Sequence, residues 1–164
     1  MLKRFLPRIF VDTVYDIDLV QMKNEGVKAF IFDIDNTIAT YAMPLPDEKS
    51  RKWLGELADM GFKLYFVSNN NVERVRKFAE SVDIPYIGKA LKPMKRNLKR
   101  ACLDMGVLPS ETALVGDQLF TDMWGGNRMK MLTVLVEPIS QAEDSFVKFK
   151  RNFEKWVLKN YSKE

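Results

Sequence analysis

Apolar and polar positions along the chain fall into two alternating patterns. Continuous apolar runs at residues 27–32, 63–67, 112–115 and 131–136 are bounded by turn residues and have the length of buried strands. Between them lie stretches with apolar residues three and four apart. Residues 47–60 carry Trp53, Leu54, Leu57 and Ala58 on one helical face, with Pro46 near the start and Gly61 after the end. Asn71 caps a second helix reaching about Val82, with Val75, Phe78 and Ala79 turned inward. Pro93 opens a third, which runs to Met105 and is closed by Gly106. Shorter pieces complete the series: a helix over 18–24 stopped by Gly26, a strand at 85–87, and a brief helix over 120–124 ahead of Gly125 and Gly126. The last stretch, about 143–161, is amphipathic, with Phe146, Phe149, Phe153, Trp156 and Val157 on one side and Lys148, Lys150, Arg151, Lys155 and Lys159 largely elsewhere.

Strands alternating with helices pair in parallel through right-handed crossovers, which predicts an α/β three-layer sandwich of the Rossmann type around a mainly parallel, five-stranded sheet. A length of 164 residues suits one domain with a real core. Residues 1–164 are therefore read as a single domain, with a basic N-terminal extension over about 1–13 and the C-terminal helix packed on the sheet, its basic face in water.

Composition narrows the chemistry. The chain has no histidine, which removes Ser-His-Asp and Cys-His catalysis, imidazole-bound zinc and imidazole acid/base work. Its one cysteine, Cys102, sits in a helical apolar pattern with Leu98, Ala101 and Met105, and reads as a buried thiol in a reducing compartment, the cytoplasm. Carboxylates, hydroxyls, lysines and a hard metal remain. No stretch reaches the roughly 20 apolar residues of a spanning helix, and the first ten residues lack the unbroken apolar core of a signal peptide. The net charge of +4 permits a polyanionic partner without requiring one.

Those carboxylates stand in telling places. The first apolar run ends in Asp33-Ile34-Asp35-Asn36-Thr37. Two acids so close repel each other and are costly to desolvate, an arrangement that a divalent cation stabilises. Ser68 follows the second run, Lys92 lies beyond the third strand, and Asp117 and Asp122 follow the fourth. In a parallel sheet these positions share one edge, the crevice where ligands of open α/β sheets bind. Each residue alone reads as a turn, a cap or a solvated charge; their joint placement is what folding needs do not explain. Three acids, a hydroxyl and a lysine suit phosphoryl transfer, where positioning and charge neutralisation do most of the work.

In this order the Asp33-x-Asp35-x-Thr37 motif, Ser68, Lys92 before Pro93, and Gly116-Asp117-x4-Asp122 resemble the four motifs of the haloacid dehalogenase (HAD) superfamily. More narrowly, residues 14–18, Gly26, residues 116–122 and Gly125-Gly126-Asn127-Arg128 are similar to the small bacterial YqeG-type phosphatases, themselves similar to mitochondrial phosphatidylglycerophosphate phosphatases. The resemblance implies a HAD-like fold and an Mg²⁺-dependent phosphomonoesterase. It implies that Asp33 attacks phosphorus and carries the aspartyl-phosphate while Asp35 acts as general acid and base. It places Mg²⁺ on Asp33, the Asp35 backbone carbonyl and Asp117, with Asp122 acting through water. Ser68, Lys92 and Asn69 would bind the phosphate, with Thr37 an orienter.

Residues 38–46 and the interval from Ser68 to Lys92 are too short for an inserted cap domain, so the sequence predicts an open pocket. Either the substrate supplies its own bulk or another subunit of a homo-oligomer covers the site. The basic termini suit an anionic phospholipid, which would put the chain peripherally on the inner face of the membrane, and equally well RNA. Two rival readings stand beside the phosphatase: a receiver-type signalling domain, disfavoured because the third strand ends in Gly88-Lys89 without an acid, and a basic RNA- or protein-binding protein whose HAD site is secondary.

Overall fold

The computed structural model describes residues 2–140; the amphipathic stretch at about 143–161 lies outside them. In chain order the strands are β1 (Ile9–Val11), β2 (Ala29–Phe32), β3 (Lys63–Val67), β4 (Tyr86–Ile87), β5 (Thr112–Gly116) and β6 (Leu132–Val136). The helices are α1 (Leu19–Asn24), α2 (Glu48–Asp59), α3 (Val72–Glu80), α4 (Lys95–Met105) and α5 (Trp124–Arg128). All strand pairs are parallel, in the order β1-β6-β5-β2-β3-β4.

The three-layer sandwich follows from the two faces of β2. Phe30 and Phe32 point to one side, where they stack at 5.4 Å and Phe32 meets Trp53 of α2, while Phe66 joins Phe78 of α3. Ala29 and Ile31 point to the other, into a second core with Leu98, Ala101 and Cys102 of α4. Alternation with period two thus sorts one wholly buried strand between two helical layers. No cap domain interrupts the described chain.

The sheet has six strands where the sequence predicts five. β1 lies within the segment read as a basic extension, its three residues pairing with Val134, Leu135 and Val136. A three-residue edge strand carries too little periodicity to be seen; its partner β6, whose paired residues lie 125 positions further along the chain, defines it. Two helix boundaries also move. α4 begins at Lys95, with Met94 as its cap, two residues after Pro93. The brief helix expected over 120–124 is a π-helical turn, Leu119–Met123, that continues into α5 through Gly125 and Gly126. These glycines allow close approach and do not stop the helix: a Cβ on Gly126 would sit 2.6 Å from Thr133 Cγ2 and 3.0 Å from Leu114 Cδ2.

The winding reverses at β2. From it the chain steps outward to β3 and β4, then returns to the other side for β5 and β6. The carboxyl ends of β2 and β5 therefore flank the topological switch point, where the loops diverge and leave a crevice.

Candidate active site

Asp33 and Asp117 stand at that switch point. The Asp33 amide donates to the Val115 carbonyl at 2.9 Å, extending the β2–β5 ladder one residue past the strand. The chain then turns tightly, the Ile34 carbonyl accepting from the amides of Thr37, Ile38 and Ala39, with Asn36 in the left-handed region at φ 61°. The carboxylates of Asp33 and Asp35 are thereby held at the bottom of a cleft of about 260 Å³, also lined by Ser68, Asn69, Asn70 and Lys92.

Lys92 is the electrostatic centre. Its Nζ donates to Asp33 Oδ1 at 3.0 Å and to Asp122 Oδ1 at 2.6 Å, with all three side chains buried. Asp122 is fully buried, and its Oδ2 accepts the Gln118 amide at 3.2 Å. It packs directly over Gly116, where a Cβ would overlap the carboxylate. Burial pushes the Asp33 carboxyl up to about 6 against the pull of the Lys92 ammonium, and the charges of Asp122 and Asp35 push the same way as burial. Burial also pulls the Lys92 ammonium down, but Asp122 and Asp33 outweigh it and leave its pKa above the ordinary lysine value.

Carboxylate oxygens of Asp33, Asp117 and Asp122 lie within 4.8 Å of one another, all three residues buried. Hard oxygen donors at that separation suit a divalent cation of the Mg²⁺ type. Among the described residues, Lys92 pairs with Asp33 and Asp122, and Arg74 with Asp35. The three acids thus form a cluster fitted to a divalent metal.

Asp35 is not part of that cluster. Its Oδ1 accepts from Arg74 Nη2 at 3.1 Å and its Oδ2 from Asn70 Nδ2 at 2.7 Å. Ser68, 2 % exposed, accepts the Asn70 amide on its Oγ at 3.2 Å, so the residues after β3 form one connected turn. Asn69, expected at the phosphate, lines the cleft and also braces the lysine: its Oδ1 accepts the Lys92 amide at 2.7 Å and its Nδ2 donates to the Lys92 carbonyl at 3.1 Å. Thr37 is buried, its hydroxyl lacking a hydrogen-bond partner among the described residues.

The structure brings Asp33, Asp35, Ser68, Asn69 and Lys92 to one cleft, with Asp117 and Asp122 beside Asp33. Sequence reasoning missed Arg74 and Asn70. Arg74 has the look of any first-turn helix residue; only the folding of α3 against the first motif turns it toward Asp35. Asn70 carried a faint signal, as the second residue after Ser68 at a strand end.

Comparisons with known proteins agree with this geometry. Residues 38–130 match the model of the haloacid dehalogenase-like hydrolases. The chain is 38% identical to the probable phosphatase YqeG of Bacillus subtilis over 96% of its own length and 92% of that protein's. It is 28% identical over 87% of its length to phosphatidylglycerophosphate phosphatase 1 of Arabidopsis thaliana, of which it spans 43%. Among solved structures, the cobalt-bound deoxy-D-mannose-octulosonate 8-phosphate phosphatase of Haemophilus influenzae superposes with a TM-score of 0.57 at 17% identity, covering 78% of this chain and 77% of that one, a likeness of fold. The chain belongs to the haloacid dehalogenase-like hydrolases, and within them it is a phosphatase.

Proposed function

We propose that the chain is an Mg²⁺-dependent phosphomonoester hydrolase that works through an aspartyl-phosphate on Asp33. The observation that carries this reading is the bridge of Lys92 between Asp33 and Asp122 beside Asp117. It gathers a nucleophile, a fixed positive charge and a cation-binding cluster at one buried point.

Asp33, Asp117 and Asp122 would hold the cation, helped by the Asp35 backbone carbonyl, and the bound ion supplies charge neutralisation between nucleophile and phosphoryl oxygens. A carboxylate oxygen of Asp33 attacks phosphorus as the bond to the leaving oxygen breaks, and Asp35 gives that oxygen a proton. Water then attacks the acyl phosphate, Asp35 takes the proton back, and inorganic phosphate leaves with Asp33 restored. Acid/base help of this kind contributes on the order of 10²–10⁴-fold. Ser68 and Lys92 stabilise charge on the phosphoryl oxygens, which asks for groups fixed before the reaction begins. The short bonds from Asn69 to both backbone groups of Lys92 supply such fixing.

The substrate reading is phosphatidylglycerophosphate. Two relatives named for that activity, from Arabidopsis thaliana and Chlamydomonas reinhardtii, support it at 28% and 26% identity. The capless, open cleft suits a substrate whose bulk stays outside the pocket. No helix among the described residues is long and apolar enough to cross a membrane, so the lipid headgroup would be met from the water side.

Phosphate release, with and without Mg²⁺, across phosphatidylglycerophosphate in mixed micelles, small phosphomonoesters and a phosphopeptide tests the reading, with Asp33→Asn as control. Metal-dependent release that favours the lipid supports both chemistry and substrate. Release only from small esters retains the chemistry and removes the lipid, and wild-type activity in Asp33→Asn removes the nucleophile assignment.

A further inference from the structure

The loop joining β4 to α4, residues 88–94, delivers Lys92 to the active site and does something else on its outer side. Ala90 and Lys92 are buried, at 0% and 5% exposure, while Leu91 between them is 64% exposed and Met94 is 58% exposed. Leu91 and Lys89 both occupy the left-handed backbone region, at φ 55° and 46°. Non-glycine residues are held there only when their surroundings insist. They do: the Lys89 amide donates to the Asn70 carbonyl at 2.7 Å, the Ala90 amide to the Ser68 carbonyl at 3.0 Å, and Asn97 Nδ2 to the Ala90 carbonyl at 2.9 Å. A loop bonded to Ser68 and Asn70 thus presents two large apolar side chains to water at the catalytic edge of the sheet.

Along the sequence, charge on both sides of these two residues has one sign. From Pro85 to Leu103 the sequence contains no acid and six cations, Lys89, Lys92, Lys95, Arg96, Lys99 and Arg100. Lys89, Lys95 and Arg96 are exposed and adjoin Leu91 and Met94. Val72, 46% exposed, lies on the same edge, its backbone so close to Gly88 that a Cβ there would come within 2.7 Å of the Val72 Cα. Exposed apolar side chains with exposed cations next to them in sequence match the boundary between lipid headgroups and acyl chains, where apolar groups enter and cations meet phosphates. A protein groove would call for a contiguous apolar patch instead.

We infer that the 88–94 loop docks the catalytic edge onto an anionic phospholipid surface, with Leu91 and Met94 entering the acyl boundary and Lys89, Lys95 and Arg96 held by the headgroup phosphates. The inference rests on the lipid-substrate reading for its purpose alone. Docking itself concerns the bilayer and needs no phosphomonoester in it.

The test is co-sedimentation of the full chain with vesicles of phosphatidylglycerol and phosphatidylcholine, against phosphatidylcholine alone. Binding is expected on the anionic vesicles only, and it weakens as NaCl rises. Leu91→Ser with Met94→Ser, and separately Lys95→Glu with Arg96→Glu, each lower the bound fraction by about tenfold or more, because both the apolar and the charged contribution are required. Leu103 and Leu108 supply the control. They are as exposed, at 66% and 61%, but Leu103 lies in the last turn of α4 and Leu108 between α4 and β5, at the other end of the helix from the 88–94 loop. Leu103→Ser with Leu108→Ser leaves binding unchanged. A small soluble phosphomonoester, hydrolysed equally by all these variants, reports that the fold and catalytic chemistry persist, so failure of docking and failure of the phosphatase reading are distinct. Wild-type chain that ignores anionic vesicles overturns the inference, as does equal loss in the control pair. So does a dimer that dissociates in Leu91→Ser with Met94→Ser while no vesicle binds, which would make a second copy the occupant.

Discussion

Arg74 Nη2 lies 3.1 Å from Asp35 Oδ1 and 3.2 Å from the Thr40 carbonyl oxygen, so one guanidinium ties the first turn of α3 to the loop that follows the first motif. Its side chain is only 13% exposed, its Cζ sits 5.4 Å from the centre of the Phe78 ring, and Asn70 holds the other Asp35 oxygen. Both oxygens of Asp35 are thus aimed by neighbours while Asp33 is left to Lys92. The two acids of the motif, identical in type and two residues apart, are distinguished by what grips them.

Arg74→Ala removes the grip without touching the metal cluster. We expect kcat to fall on the order of 10–100-fold, part of the ~10²–10⁴-fold that acid/base catalysis supplies. Mg²⁺ affinity, read by calorimetry, stays near wild type. Arg74→Lys restores only part of the rate, since the shorter lysine side chain does not carry its ammonium to the place of the Nη2 that donates to both Asp35 and the Thr40 carbonyl. Equal losses of kcat and of Mg²⁺ affinity would show that Arg74 merely supports the fold.

The raised pKa of Asp33 has a consequence for stability without metal. A carboxyl whose folded pKa of about 6 exceeds the ordinary 3.8 holds its proton more tightly when folded. Its contribution is therefore fully present below about pH 3.8 and is lost as pH rises through about 6. The loss is on the order of 2–3 kcal/mol. Urea denaturation in EDTA from pH 4 to 7.5 should show wild type losing stability relative to Asp33→Asn over that window. Saturating Mg²⁺ should abolish the trend, because the bound ion favours the ionised carboxylate.

Metal binding carries the mirror image of that dependence. Because Asp33 must lose its proton to serve as a ligand, apparent Mg²⁺ affinity should rise with pH and level off above about 6. Calorimetric titrations at pH 5, 6 and 7.5 measure this directly. A flat profile would remove Asp33 from the ligand set.

Gly116 is the position where one methyl group should do most harm. A side chain there meets the buried Asp122 carboxylate, which Lys92 and the Gln118 amide already hold in place. Gly116→Ala should destabilise the fold by about 1–3 kcal/mol through overpacking. By displacing a member of the metal cluster it should also weaken Mg²⁺ binding by about 10–100-fold. Thermal denaturation and metal titration give the two numbers separately.

Asn69 offers a test of bracing. Asn69→Asp keeps the acceptor for the Lys92 amide but replaces the donor to the Lys92 carbonyl with a second acceptor. Both Asn69→Asp and Asn69→Ala should lower kcat/KM, and the aspartate should do no better than alanine. Near-wild-type activity in the aspartate variant would mean that the Lys92 backbone needs only one of its two bonds.

The strand-end chemistry was legible because it depends on local order. An apolar run that stops in Asp33 and Asp35, and a later one that stops in Gly116 and Asp117, announce buried parallel strands with acids at their carboxyl ends, and topology brings such ends to one edge. Lys92 and Asp122 were legible by the same logic, joined with the motif spacing. Strand β1 was not. Its three residues acquire their conformation from a ladder with β6 that the chain closes only after more than a hundred residues, and nothing local distinguishes them from a basic tail. Gly125 and Gly126 misled for a related reason, since glycine before a strand reads as a helix stop until a close contact with Leu114 and Thr133 shows why it is there.

The sequence by itself determined the fold class, the edge at which the site lies, and the residue types that carry its chemistry. These follow from burial period and from where each apolar run ends, properties of neighbours in the chain. Tertiary structure alone decided which partner each charge meets. Lys92 bridges Asp33 and Asp122 from 59 and 30 residues away, and Arg74 reaches Asp35 across 39. Such pairings exist only once the sheet brings its loops together, because the strength of a buried charge pair depends on distance and desolvation, and spacing along the chain specifies neither.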